Sequence, residues 1–85
     1  MRVEIDIPDY RAERGIVTKW DDGHEVELRV TSSAVVLRAN AAGLRTLARH
    51  LLTLAASSTP AGSHVHYDES NGLTDGSAEL IVERS

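Results

Sequence analysis

Eighty-five residues with no cysteine and a net charge of −4 read as one small domain, 1–85, without disulfides, thiolate nucleophiles or the usual structural zinc sites. The acidic balance argues against a generic nucleic-acid binder. No stretch is apolar for long enough to span a bilayer, and the N-terminus MRVEIDIPDY lacks the basic-then-apolar build of a signal peptide, so a cytoplasmic protein is expected.

Arg2 to Ile7 alternates, with Val3, Ile5 and Ile7 on one face and Arg2, Glu4 and Asp6 on the other. That pattern predicts a half-buried strand, stopped by Pro8-Asp9. A charged loop leads to a second strand, Ile16 to Trp20, and Asp21-Asp22-Gly23 is a tight-turn signal that should join it to the third strand as a hairpin. In the third strand His24, Val26, Leu28 and Val30 share a face, opposite Glu25, Glu27, Arg29 and Thr31. Thr31-Ser32-Ser33 turns the chain into a fourth strand, Ala34 to Ala39, whose continuous apolar character suits a central position.

From Asn40 to Ala56 the period changes to that of a helix. Leu44, Leu47, Ala48, Leu51, Leu52, Leu54 and Ala55 form one broad stripe, Arg45, Thr46, Arg49 and Thr53 lie opposite, and His50 sits at the margin. Asn40 is the expected N-cap, and the serines at 57 and 58 with Pro60 end the helix. Gly43 in the first turn calls for a packing explanation, because glycine costs about 1 kcal/mol relative to alanine in a helix. Each buried leucine is worth on the order of 1.5–3 kcal/mol, so contact between the stripe and a sheet should decide whether the domain folds.

A fifth strand is predicted at Ser63 to Tyr67 and a sixth at Ser77 to Arg84, paired antiparallel, with Leu73 tucked under the turn-rich loop between them. The order β-β-β-β-α-β-β predicts an α+β fold: a mostly antiparallel sheet of about six strands with one amphipathic helix packed on one face. Charge is unevenly placed along it. Residues 32–56 carry Arg38, Arg45 and Arg49 and no acid, whereas residues 57–85 carry Asp68, Glu69, Asp75, Glu79 and Glu83 against Arg84 alone. Such a domain is either electrically two-sided or ordinarily solvated.

Catalytic chemistry finds little support. The serines lie in turn or loop signals with no Gly-x-Ser-x-Gly elbow, no glycine-rich phosphate loop opens the helix, and the adjacent carboxylates Asp21/Asp22 and Asp68/Glu69 diverge rather than converge. No cofactor is implied. The strand His64-Val65-His66-Tyr67-Asp68 is the exception: His64, His66 and Asp68 project from one face and make three potential metal ligands. The plainer reading places both histidines in solvent, with Val65 and Tyr67 facing the helix. Trp20, the only tryptophan, either plugs the end of a sheet or serves as an aromatic anchor rimmed by Asp21 and Asp22. Arg49 reads as a solubilising arginine, and Arg38, on an apolar strand, as a candidate for an ion pair.

Three runs together resemble a known family. Ala39-Asn40-x-x-Gly43-Leu44-x-x-Leu47-Ala48-x-x-Leu51-x-x-Leu54-Ala55, Gly62-Ser63-His64-Val65-His66-Tyr67-Asp68 and Leu73-x-x-Gly76-Ser77-x-Glu79-Leu80 look like a small α+β family of bacterial polymorphic-toxin immunity proteins, over residues 34–83. The resemblance implies a non-catalytic protein that neutralises a cognate toxin encoded by a neighbouring gene. Such a protein needs a stable acidic surface that covers a basic site and associates quickly through electrostatic steering. Asp21/Asp22/Glu25/Glu27 and Asp68/Glu69/Asp75 would provide that surface, with Trp20, His64, His66 and Tyr67 as anchors. Two other readings stand beside it: a small metal-binding domain built on His64, His66 and Asp68, and a self-associating module, such as a homodimer paired through an exposed edge strand.

Overall fold

The computed structural model describes Arg2, Glu4 and residues 19–85. The first predicted strand, apart from Arg2 and Glu4, and the second, apart from its last two residues, lie outside the described residues. An antiparallel hairpin of β1 (Val26–Val30) and β2 (Val35–Ala39) leads into α1 (Ala41–Ala55). A second antiparallel pair follows, β3 (His64–Tyr67) and β4 (Leu80–Glu83). The class is α+β, as expected. Instead of one sheet of about six strands, however, the described residues form two sheets of two strands each.

The segment ahead of β4 accounts for the break between these two pairs. Ser77 and Ala78, expected as the start of the sixth strand, lie against β1 instead. Thr74 N–H donates to the Val26 carbonyl (2.9 Å) and Ala78 N–H to the Leu28 carbonyl (2.9 Å). Between these two bonds the chain makes a turn closed by Ser77 N–H to Thr74 O (3.2 Å). A turn inserted between two ladder positions breaks the regular register, so among the described residues the β1–β2 and β3–β4 ladders remain separate.

Asn40 ties the helix to the strand before it. Its Oδ1 accepts from the Gly43 N–H (2.9 Å), as an N-cap should, and also from the Glu25 N–H (3.0 Å), while its Nδ2 donates to the Gly23 carbonyl (2.8 Å). The Gly43 backbone then lies so close to β1 that an added Cβ would stand 2.7 Å from Val26 Cγ2 and 2.9 Å from the Glu25 carbonyl oxygen. This is the packing reason for a glycine in the first turn. At the other end the Arg84 guanidinium donates to the Leu54 carbonyl (2.7 Å), and the Thr59 hydroxyl to the Thr53 carbonyl (2.7 Å). A cation at the negative end of the helix dipole is favourable, and here it also ties β4 to α1.

With Gly43 at the contact, the helix is rolled away from its leucine stripe. Its buried residues are Gly43, Thr46, Leu47, His50, Thr53 and Leu54. Leu44, Leu51 and Leu52, expected in the core, are 51%, 47% and 43% exposed. Thr46 and Thr53, expected in solvent, can be buried because each hydroxyl donates to the carbonyl four residues back, Ala42 O and Arg49 O, at 2.9 Å. β2 likewise lacks a central position: Val35 and Leu37 are exposed, and its described strand neighbour is β1.

Among the described residues the core consists of Val26, Leu28, Leu47, Leu54, Val65, Tyr67 and Leu73. His50, 1% exposed, stacks on the Tyr67 ring. Its Nδ1 lies 2.8 Å from the Tyr67 hydroxyl, and its Nε2 lies 3.4 Å from the Lys19 carbonyl. A carbonyl can only accept, which puts the proton on Nε2 and makes the tyrosine the donor to Nδ1. Burial pushes the Tyr67 pKa up to about 12, so the hydroxyl keeps the proton it donates. Among the described residues no buried side-chain polar atom lacks a partner.

Two measurements check this packing. Alanine at position 43 would gain about 1 kcal/mol of helix propensity, but overpacking costs about 1–3 kcal/mol and the Glu25 carbonyl cannot swing aside. G43A is therefore expected to lower the urea midpoint, and a raised midpoint would mean that the helix stands off β1. Burial also holds the His50 pKa below its ordinary value of 6.5, against the opposing pull of the Lys19 carbonyl. The unfolded chain thus takes up a proton that the folded chain resists, so this contribution to stability is present above about pH 6.5 and lost as the pH falls below it. The melting temperature should drop between about pH 7 and pH 5.5, and His50→Gln should flatten that part of the profile. An unchanged slope in H50Q would assign the loss to other groups.

Candidate partner-binding surface

The alternation of β3 sorts its residues as the sequence suggests. Val65 and Tyr67 are buried, while His64 and His66 are exposed. β3 and β4 pair His66 with Ile81 and Tyr67 with Leu80. The ladder ends there, and Asp68 bridges instead to Asn71 and Gly72, yet the side chains of Asp68 and Glu79 both reach His66. His66 Nε2 lies 3.1 Å from Glu79 Oε2 and 3.6 Å from Asp68 Oδ2. His64 does not join this group; its Nδ1 is 3.4 Å from the Gly62 carbonyl.

Asp68 is held in place from the other side. Its Oδ1 accepts from the Ser70 hydroxyl (2.7 Å) and the Ser70 N–H (2.9 Å). The hydroxyl bond from Ser70 is the main reason its pKa lies below the ordinary carboxylate value, with burial opposing it and His66 adding to it. Glu69 is exposed, and its Oε2 accepts from the Gly76 N–H (3.2 Å), which closes the loop on itself.

Trp20 is half-buried. Its ring stacks on His24 at a centroid distance of 4.6 Å and presents an edge to His50 and to Tyr67. Gly72 accommodates it: φ there is +91°, and a Cβ would overlap the indole. The Trp20 Nε1–H donates to Asn71 Oδ1 (3.2 Å), and Asn71 Nδ2 donates to the His66 carbonyl (2.7 Å). Asp21, next in the chain, accepts from both terminal nitrogens of Arg49, at 3.0 and 3.5 Å. That hydrogen bond holds its carboxyl below the usual range, against desolvation. Arg49 thus binds an aspartate rather than simply solubilising the helix. Asp22 remains exposed on the turn that follows, where His24 N–H donates to the Asp21 carbonyl (3.2 Å). Arg38 is exposed, and its cross-strand neighbour Glu27 pairs with Arg29 at 3.0 Å instead.

The Trp20–Asn71–His66 relay ties the residue before Asp21-Asp22 to the loop that follows Asp68-Glu69. Two participants escape a reading of the sequence, Glu79 and Asn71. Glu79 becomes visible once the β3–β4 register is known, because it falls on the face of His66. Nothing local marks Asn71, whose partner lies 51 residues away.

Among the described residues no helix is long and apolar enough to cross a membrane. No curated protein and no solved structure matches the chain. A family model described as immunity protein 32 matches residues 34–85, from the start of β2 through α1 to the end of the β3–β4 hairpin, and the chain belongs to that immunity protein family.

Proposed function

We propose that this protein neutralises a cognate bacterial toxin by binding and covering it, without catalysis, through the surface formed by Trp20, Asp21, Asp22, His64, His66, Asp68 and Glu69. Membership of an immunity protein family supports the partner class. The observation that carries the choice of surface is the relay from Trp20 through Asn71 to the His66 carbonyl. It ties the residue before Asp21-Asp22 to the loop after Asp68-Glu69, which supports reading the two acidic stretches of this acidic chain as one surface. Arg49 fixes Asp21 and Ser70 fixes Asp68, so part of the surface is ordered before a partner arrives, which reduces the entropy lost on binding. Asp22 and Glu69 stand exposed beside these anchors, where charge acts mainly on the rate of encounter. The matching partner surface is basic, and the encounter takes place in the cytoplasm of the producing cell.

Charge reversal at the two exposed acids tests this. Asp22→Lys with Glu69→Lys is expected to slow association with the toxin domain encoded beside this gene by about tenfold or more at low salt, and to weaken the salt dependence of the rate. Leu52→Gln, on the exposed side of α1 and without change of charge, should leave the rate unchanged. Binding by the parent chain with an unaltered rate in the double variant would move the interface elsewhere. A parent chain that does not bind would remove the neutralising role.

A further inference from the structure

We propose that His66, Asp68 and Glu79 form a site for a divalent first-row transition-metal ion, such as Zn²⁺, on the outer face of the β3–β4 hairpin. Each of the three offers one donor atom, and the three atoms lie within 4.8 Å of one another. A tetrahedral ion with bonds of about 2.1 Å holds its ligands roughly 3.4 Å apart. The His66–Glu79 separation of 3.1 Å and the His66–Asp68 separation of 3.6 Å already bracket that value. The remaining separation closes by rotation of the Glu79 side chain, which is 60% exposed.

Three features beyond proximity favour a cation here. The donors come from separate segments, β3, the turn after it and the approach to β4, so their meeting follows from the folding of the hairpin. Asp68 spends Oδ1 on Ser70 and turns Oδ2 toward His66, the arrangement in which a neighbouring hydrogen bond orients a ligating carboxylate. Among the described residues, His66 alone lies within salt-bridge distance of either carboxylate, so the convergence of Asp68 and Glu79 is left without an arginine or lysine to offset it. One imidazole and two carboxylates make a mixed nitrogen–oxygen donor set, suited to Zn²⁺ or Mn²⁺ and lacking the soft sulfur of a Cu(I) site, with coordination positions left for water. The set differs from the His64, His66 and Asp68 trio that the strand pattern alone suggests, because Glu79 takes the place of His64.

Calorimetric titration of the full chain with Zn²⁺ alone, followed in parallel by NMR of the histidine ring protons, tests the site without involving the toxin. The expected result is one ion per chain, with the His66 ring signals shifted. Glu79→Gln and Asp68→Asn should each weaken binding about tenfold or more, and Ser70→Ala, which removes only the orienting bond, by about tenfold to a hundredfold. His64→Ala should bind as the parent does. These side chains are exposed or partly exposed, and circular dichroism confirms that each variant is folded. No binding by the parent at millimolar Zn²⁺ would overturn the site. So would a pattern in which H64A abolishes binding and E79Q does not, since the ion would then sit on the histidine pair. Either failure leaves the neutralising role intact, because toxin binding is measured separately.

Discussion

At Gly43 the backbone of α1 rests against Val26 and the Glu25 carbonyl with no room for a methyl group, and Asn40 fixes the approach with bonds to both sides of the junction. That contact sets the roll of the helix about its own axis. Once the Gly43 face meets β1, positions at three- and four-residue intervals must follow it inward. Those positions carry Thr46, Leu47, His50, Thr53 and Leu54. The buried face is consequently half polar, and it is tolerable only because each polar atom has a partner within the fold.

The surface follows from the same roll. His50 turned inward meets Tyr67 on β3 and the edge of Trp20, and Trp20 in turn holds the 68–72 loop through Asn71 and Gly72. Thr46 and Arg49, one and two turns into the helix, take the Asp21 N–H and carboxylate respectively. A single packing choice thus reaches from the first turn of the helix to the acidic loops. The cost appears on the far side, where Leu44, Leu51 and Leu52 are left partly in water. Scattered exposed leucines are ordinary on small domains, whose surface is large relative to their core.

The histidines divide by burial and by partner. His50 is buried and structural, His24 supports the Trp20 ring, and His66 lies at the surface between two carboxylates.

Local chemistry determined much of this protein. The extent of α1, its Asn40 cap, the β1–β2 and β3–β4 hairpins and the outward pointing of His64 and His66 are all legible in the sequence, because caps, turns and alternation act over a few residues. The residues that carry the family resemblance are also local. Tertiary structure alone decided which face of the helix is buried. Seven apolar residues offered a broad stripe, and nothing within the helix announced that a backbone contact at Gly43 would outrank it. It also decided that Ser77 and Ala78 would lie against β1, leaving the β1–β2 and β3–β4 ladders separate among the described residues. Likewise, the meeting of Glu79 with His66, and of Trp20 with Asn71, depends on strand register and on contacts between distant segments. A one-residue shift in the β3–β4 register would turn Glu79 away from His66, and the Trp20–Asn71 bond joins segments 51 residues apart that meet only in the folded domain.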